Sequence, residues 1–130
     1  MPLQKHTDKI VLIESSLEPR IADAVVTEEK NILIGVQAAD CAPILLYEKK
    51  KEILGAVHAG WRGTAKGILK KTINTMIDRF ICEPENFLVA IGPSIRWCCY
   101  AVDYNVLYDV IKTTGEGEYY VSKDGKYCLD

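Results

Sequence analysis

In Pro43-Ile44-Leu45-Leu46-Tyr47-Glu48-Lys49-Lys50-Lys51-Glu52-Ile53-Leu54-Gly55-Ala56-Val57-His58-Ala59-Gly60-Trp61-Arg62-Gly63, two short apolar runs flank five consecutive charged residues. Runs this short, bounded by charge, read as strands, and the charged segment between them reads as a solvated turn. The expectation is an antiparallel hairpin of residues 43–47 and 53–58. Directly after His58 the pattern becomes glycine-rich, and then its period changes. Leu69, Ile73, Met76, Ile77 and Phe80 recur at helical spacing, with Lys66, Lys70, Lys71, Asp78 and Arg79 mostly opposite them. Thr64 is the expected N-cap of that helix, and Pro84 lies beyond its end.

Working outward, residues 10–13, 24–27 and 32–36 are further β-branched runs, each read as a strand. Residues 87–91 give another, stopping at Gly92-Pro93, and a second helix is expected over about residues 102–111. Residues 118–122 and 126–129, around Lys123-Asp124-Gly125, form a second hairpin signal. Strands and helices do not alternate strictly. The expected class is therefore α+β, mixed β-sheets flanked by helices, rather than a doubly wound sheet.

The chain has 130 residues, enough for one domain with a modest core. A formal net charge of -2 removes the electrostatic reason to expect nucleic acid or anionic membranes as partners. Five cysteines, an odd number, with a charged N-terminal stretch in place of a signal sequence, point to reduced thiols and a cytoplasmic protein.

Chemistry concentrates in few residues. The only histidines are His6 and His58, and Asp40-Cys41 lies between them. Two imidazoles and a thiol are the minimum set for a zinc site with an open position; His58 with Cys41 would equally make a Cys-His nucleophile pair. Asp40 would orient a ligand or act as a base for bound water. Gly60, Gly63 and Arg62 suit an anion at the start of a helix. The plainer readings are a locally bonded turn histidine and a cysteine serving as a small hydrophobe. Cys82, Cys98, Cys99 and Cys128 show no C-x-x-C spacing.

Several strings resemble the YfiH-type laccase-domain family. They are Gln4-Lys5-His6, Ala22-Asp23-Ala24-Val25-Val26-Thr27, Gln37-Ala38-Ala39-Asp40-Cys41, Gly55-Ala56-Val57-His58-Ala59-Gly60-Trp61-Arg62-Gly63, Ile91-Gly92-Pro93-Ser94-Ile95 and Cys99-Tyr100-Ala101-Val102. The resemblance implies one zinc held by His6, Cys41 and His58. It implies a purine nucleoside phosphorylase acting on adenosine, inosine and methylthioadenosine that also deaminates adenosine. The implied fold is similar to the deamidase domain of cytotoxic necrotizing factor, an α/β sandwich in which the matching Cys and His are catalytic. Residues 1–130 then correspond to the central part of the family domain. Thr7 and Ala101 depart from the family's usual glycine and acidic residue.

These readings combine into expectations. Zinc is preferred, with copper as the alternative, because a multicopper cluster needs far more imidazoles than this chain has. Water acidified by the metal would serve deamination at purine C6, with Asp40 carrying the proton. Phosphate would lie against Arg62. The catalytic set is then Asp40, Cys41, His58 and Arg62, and the partners are purine nucleosides and phosphate. Two other readings stand beside it: a Cys-His hydrolase or deamidase, and a catalytically silent chain that binds a metal or a partner.

Overall fold

A computed structural model of the protein describes residues 1–14 and 18–130. The larger sheet contains β1 (Ile10–Ile13), β2 (Ala24–Thr27), β3 (Ala42–Glu48), β4 (Ile53–Ala59) and β5 (Phe87–Ile91), in the order β1-β2-β4-β3-β5. β1 and β2 run parallel and every other neighbouring pair is antiparallel, so the sheet is mixed. The β3–β4 hairpin extends one residue past both expected ends of β3 and past the expected end of β4, with Ala42 opposite Ala59 and Glu48 opposite Ile53. Its charged turn is fastened by Glu48, whose Oε2 accepts the Lys51 N–H at 2.6 Å.

Among the described residues the α-helices are α1 (Trp61–Ala65), α2 (Ile68–Phe80) and α3 (Tyr104–Thr114). The apolar stripe of α2 lies on one face of the larger sheet, burying Ile68 and Met76 with Val26, Ile44, Leu46 and Val57. The opposite face packs Val11, Val25 and Ala56 beneath Ile34 and Val36.

Residues 32–36, expected as a strand, form no strand. Their alternation is real, since Ile34 and Val36 point to the core while Leu33 is 97% exposed. The segment spends that pattern covering a sheet face rather than joining a ladder. Thr64 is not an N-cap either. It lies inside α1, and α2 begins after Gly67, whose φ of 72° a side-chain-bearing residue adopts reluctantly.

The smaller sheet contains β6 (Ala101–Val102), β7 (Tyr120–Lys123) and β8 (Lys126–Leu129), antiparallel in the order β6-β8-β7. Asp124 and Gly125, both at positive φ, make the tight turn expected between β7 and β8. Val102 pairs with Tyr127 across β6 and β8, so the following helix starts at Tyr104, two residues later than its periodicity suggests. Val102, Leu107, Val110 and Leu129 form a separate core, against which Ala65 of α1 packs. Helix α1 thus bridges the two halves. Among the described residues no helix is long and apolar enough to cross a membrane.

Candidate metal centre

The hairpin register builds one side of the site. Ala42 lies opposite Ala59, so Cys41, just before β3, comes level with Gly60, just after β4. His58 is the penultimate residue of β4 and is buried. His6 arrives from the segment before β1 with a φ of 55°. The ligand-capable atoms of His6, Cys41 and His58 all lie within 4.8 Å of one another. Cys41 Sγ is 4.0 Å from His6 Nε2, and the two imidazole centroids are 5.0 Å apart at 68°. Residues separated by up to 52 positions therefore converge, as the histidine and thiol pattern anticipates.

Asp23 was absent from the expected site residues, yet it lies behind the site. It is fully buried on β2's approach, and its Oδ1 faces His58 Nδ1 at 2.9 Å. The same carboxylate accepts backbone N–H groups from Lys5, His6 and Thr7 at 3.2, 3.1 and 2.6 Å, and the Thr7 hydroxyl at 2.8 Å. Burial pushes this carboxyl up, but the hydrogen bonds from Thr7, His58 and Lys5 outweigh it and hold its pKa at about 2. Asp23 is thus ionised and accepts a hydrogen bond from the His58 Nδ1–H, so in the neutral ring Nε2 is the electron-pair donor. A lone carboxylate inside the apolar run Ala22-Asp23-Ala24-Val25-Val26 was the available signal, because a charge there must be paired.

The donor set fits a metal. A Cβ built on Gly60 would lie 2.9 Å from Cys41 Sγ and 3.1 Å from His6 Cδ2, so glycine keeps the space between two ligands clear. Burial, then Asp40 and Asp23, push the Cys41 thiol up, which disfavours a free thiolate. A divalent cation would reverse that penalty by neutralising the accumulated negative charge. Two imidazoles and one thiolate match zinc with one open position. The two histidines of this chain cannot supply the imidazoles of a multicopper cluster.

Cys41 and Gly60 also line a cavity of about 480 Å³ between the two halves of the molecule. Its walls include Asp40, Trp61, Ile68, Tyr100, Tyr119 and Leu129. Asp40 is exposed at this cavity, and its carbonyl is fixed by the Ile95 N–H at 2.9 Å. Arg62 is not part of the lining; its guanidinium stacks 4.5 Å from the Trp61 ring centroid. It still reaches the wall electrostatically. Burial and Cys41 push the Tyr100 phenol up, and Arg62 opposes them. Lys70 is the cation within the lining, which the sequence reading did not single out.

A sequence-family model described as multi-copper polyphenol oxidoreductase laccase matches residues 1–130. A purine nucleoside phosphorylase of Clostridium acetobutylicum is 41% identical over 130 residues, covering 98% of this chain and 54% of that protein. A purine nucleoside phosphorylase of Aquifex aeolicus is 47% identical over 104 residues, covering 78% of this chain and 48% of its own length. The chain therefore spans about half the length of these curated relatives. The crystal structure of YfiH from Bacillus licheniformis superposes with a TM-score of 0.90 at 28% identity, over 98% of this chain and 53% of that one. That of YlmD from Geobacillus stearothermophilus gives 0.87 at 30% identity, over 96% and 51%.

Proposed function

Because this chain belongs to the YfiH-type laccase-domain family, we propose that it carries a zinc centre serving purine nucleoside phosphorolysis. The observation that supports this most is the convergence of His6, Cys41 and His58 beside a cavity of about 480 Å³, a volume suited to a nucleoside. Adenosine, inosine and methylthioadenosine are the proposed substrates, with adenosine deamination as a second activity. The five free thiols fit a reducing compartment such as the cytosol.

In this reading His6, Cys41 and His58 hold the zinc, which supplies Lewis acidity at the edge of the cavity. The chain's own groups do the rest. Trp61 and Tyr100 offer apolar walls that hold the purine and exclude water. The phosphate sits at the cavity edge against Arg62. A phosphate oxygen bonds to ribose C1′ as the C1′–N9 bond breaks, and the bonding pair leaves with the purine. In this reading Asp40, which lines the cavity, carries a proton at its carboxylate, and for deamination it does so near purine C6.

One observation favours a second reading. Asp23, His58 and Cys41 stand in the order of a base-oriented cysteine nucleophile, with the carboxylate on His58 Nδ1. The raised thiol pKa weighs against it, since a reactive cysteine needs an accessible thiolate.

The experiment is elemental analysis of freshly purified protein, followed by a product assay with inosine and phosphate. One equivalent of zinc with release of hypoxanthine and ribose 1-phosphate supports the proposal. Zinc without turnover leaves a metal-binding protein only. Metal-free protein whose Cys41 is rapidly alkylated by iodoacetamide favours the nucleophile.

A further inference from the structure

We propose that Asp23 and Gln4 are positioning residues that bring the three zinc ligands together before the metal arrives. The inference rests on the zinc reading above and assigns roles to two side chains that touch neither metal nor substrate.

The ligands come from three separate segments: the stretch before β1, the loop into β3 and the end of β4. The β3–β4 register already aligns the second segment with the third, and hydrogen bonds to two side chains tie the first segment to both. Asp23 joins the first segment to the third. Its Oδ1 faces the backbone N–H of His6 at 3.1 Å and the ring Nδ1 of His58 at 2.9 Å, so one oxygen fixes both imidazole-bearing residues. Its Oδ2 takes the N–H groups of Lys5 and Thr7 and the Thr7 hydroxyl. Three successive backbone donors can wrap one carboxylate because His6 adopts a φ of 55°, a conformation side-chain-bearing residues otherwise avoid. The backbone repeats the link, with the His58 N–H donating to the Asp23 carbonyl at 2.7 Å.

Gln4 joins the first segment to the second. Its Nε2 donates to the Gln37 carbonyl and its Oε1 accepts the Gln37 N–H, both at 2.7 Å. This two-bond clamp sits two residues before His6 and four before Cys41. A carboxamide satisfies both groups of one peptide in the manner of a ladder, and neither Glu nor Lys could. The two tethers share the His6 segment, so the exposed His6 is the ligand that depends most on them.

The test titrates cobalt(II) and zinc(II) into metal-free wild type, Asp23→Asn and Gln4→Met against a chromophoric chelator. The cobalt absorption spectrum and the urea midpoint of each metal-free protein are recorded alongside. Asp23→Asn is expected to bind either ion about 10–100-fold more weakly, the loss typical when a ligand's supporting partner is removed. Its cobalt bands should shift as His58 loses its fixed ring orientation. Gln4→Met is expected to weaken binding by a smaller factor, with little change in the urea midpoint. A folded Asp23→Asn with wild-type affinity and spectrum overturns the role of Asp23. If that variant does not fold without metal, Gln4→Met decides, and wild-type affinity there overturns the inference. A wild-type protein that takes up neither ion overturns the zinc reading itself, and this inference falls with it.

Discussion

Where the larger sheet buries all four residues of β2 and seats Leu46, Val57 and Met76 at 1% exposure or less, the smaller sheet leaves three of the four β7 residues exposed and edges its core with Tyr119, Tyr120 and Tyr127. The division matches the division of labour. All three candidate ligands and Asp23 lie on or beside the larger sheet, in or within reach of strands whose register is fixed on both sides. The smaller half supplies Tyr119, Leu129 and Val110, together with Asp130, to the cavity wall. Close-packed strands suit metal ligands, because a thiolate and two imidazoles must meet to within a few tenths of an ångström. A half-buried tyrosine-rich wall suits a bound organic molecule, which tolerates looser placement. Opening free energies vary across a fold in this way, and the elements that meet ligands come from the less stable end.

The largest expected effect would separate the two halves outright. Cys41→Ala should reduce zinc content from one equivalent to none, while Tyr119→Ala should leave it at one, both read by elemental analysis after gel filtration. Loss of zinc in the tyrosine variant would mean that the smaller half helps shape the centre and that the division is false.

The next contrast is one of stability. Leu46→Ala removes a side chain that is 1% exposed and should cost about 2–5 kcal/mol, through lost transfer energy and the cavity left behind. Val121→Ala, at 48% exposure on β7, should stay within about 0.5 kcal/mol. Urea midpoints of the two variants measure this directly. Equal losses would mean that the smaller sheet is as tightly integrated as the larger one.

The same contrast explains what the sequence made legible. The strands at residues 10–13, 24–27 and 87–91 lie where the short apolar runs put them, because each run is closed by charge or by Gly-Pro. The α2 stripe is likewise explicit, and the scarcity of histidine together with the Asp40-Cys41 pair points to His6, Cys41 and His58, whose donor atoms the fold brings together. What failed was whatever depends on a partner elsewhere in space. Residues 32–36 form an apolar β-branched run like a strand's, yet hydrogen-bonding to a neighbour is not written in such a run. β6 is two residues long, and only its pairing with β8 makes it a strand. Asp23 gave a warning as a charge in an apolar run, but its donors come from residues 16 to 35 positions away. The stacking of the Arg62 guanidinium on Trp61 and the presence of Lys70 in the cavity lining are further contacts that local sequence does not announce.

The smallest effect refines the comparison from the cavity side. The Tyr119 hydroxyl donates to the Gly115 carbonyl and meets Thr114 Oγ1 at 2.9 Å, tying the approach to β7 back to the end of α3. Tyr119→Phe keeps the ring against the cavity and removes only that tie. A partly exposed hydrogen bond contributes about 1 kcal/mol, and water replaces some of that here. The variant should therefore unfold at nearly the wild-type urea midpoint and hold one equivalent of zinc. Only the placement of the wall is loosened, so KM for inosine should rise by a few-fold while kcat is nearly unchanged, as for loss of binding uniform across ground and transition states. A fall in kcat at constant KM would instead tie this tyrosine to the reacting atoms, and the smaller half would then share the chemistry as well as the wall.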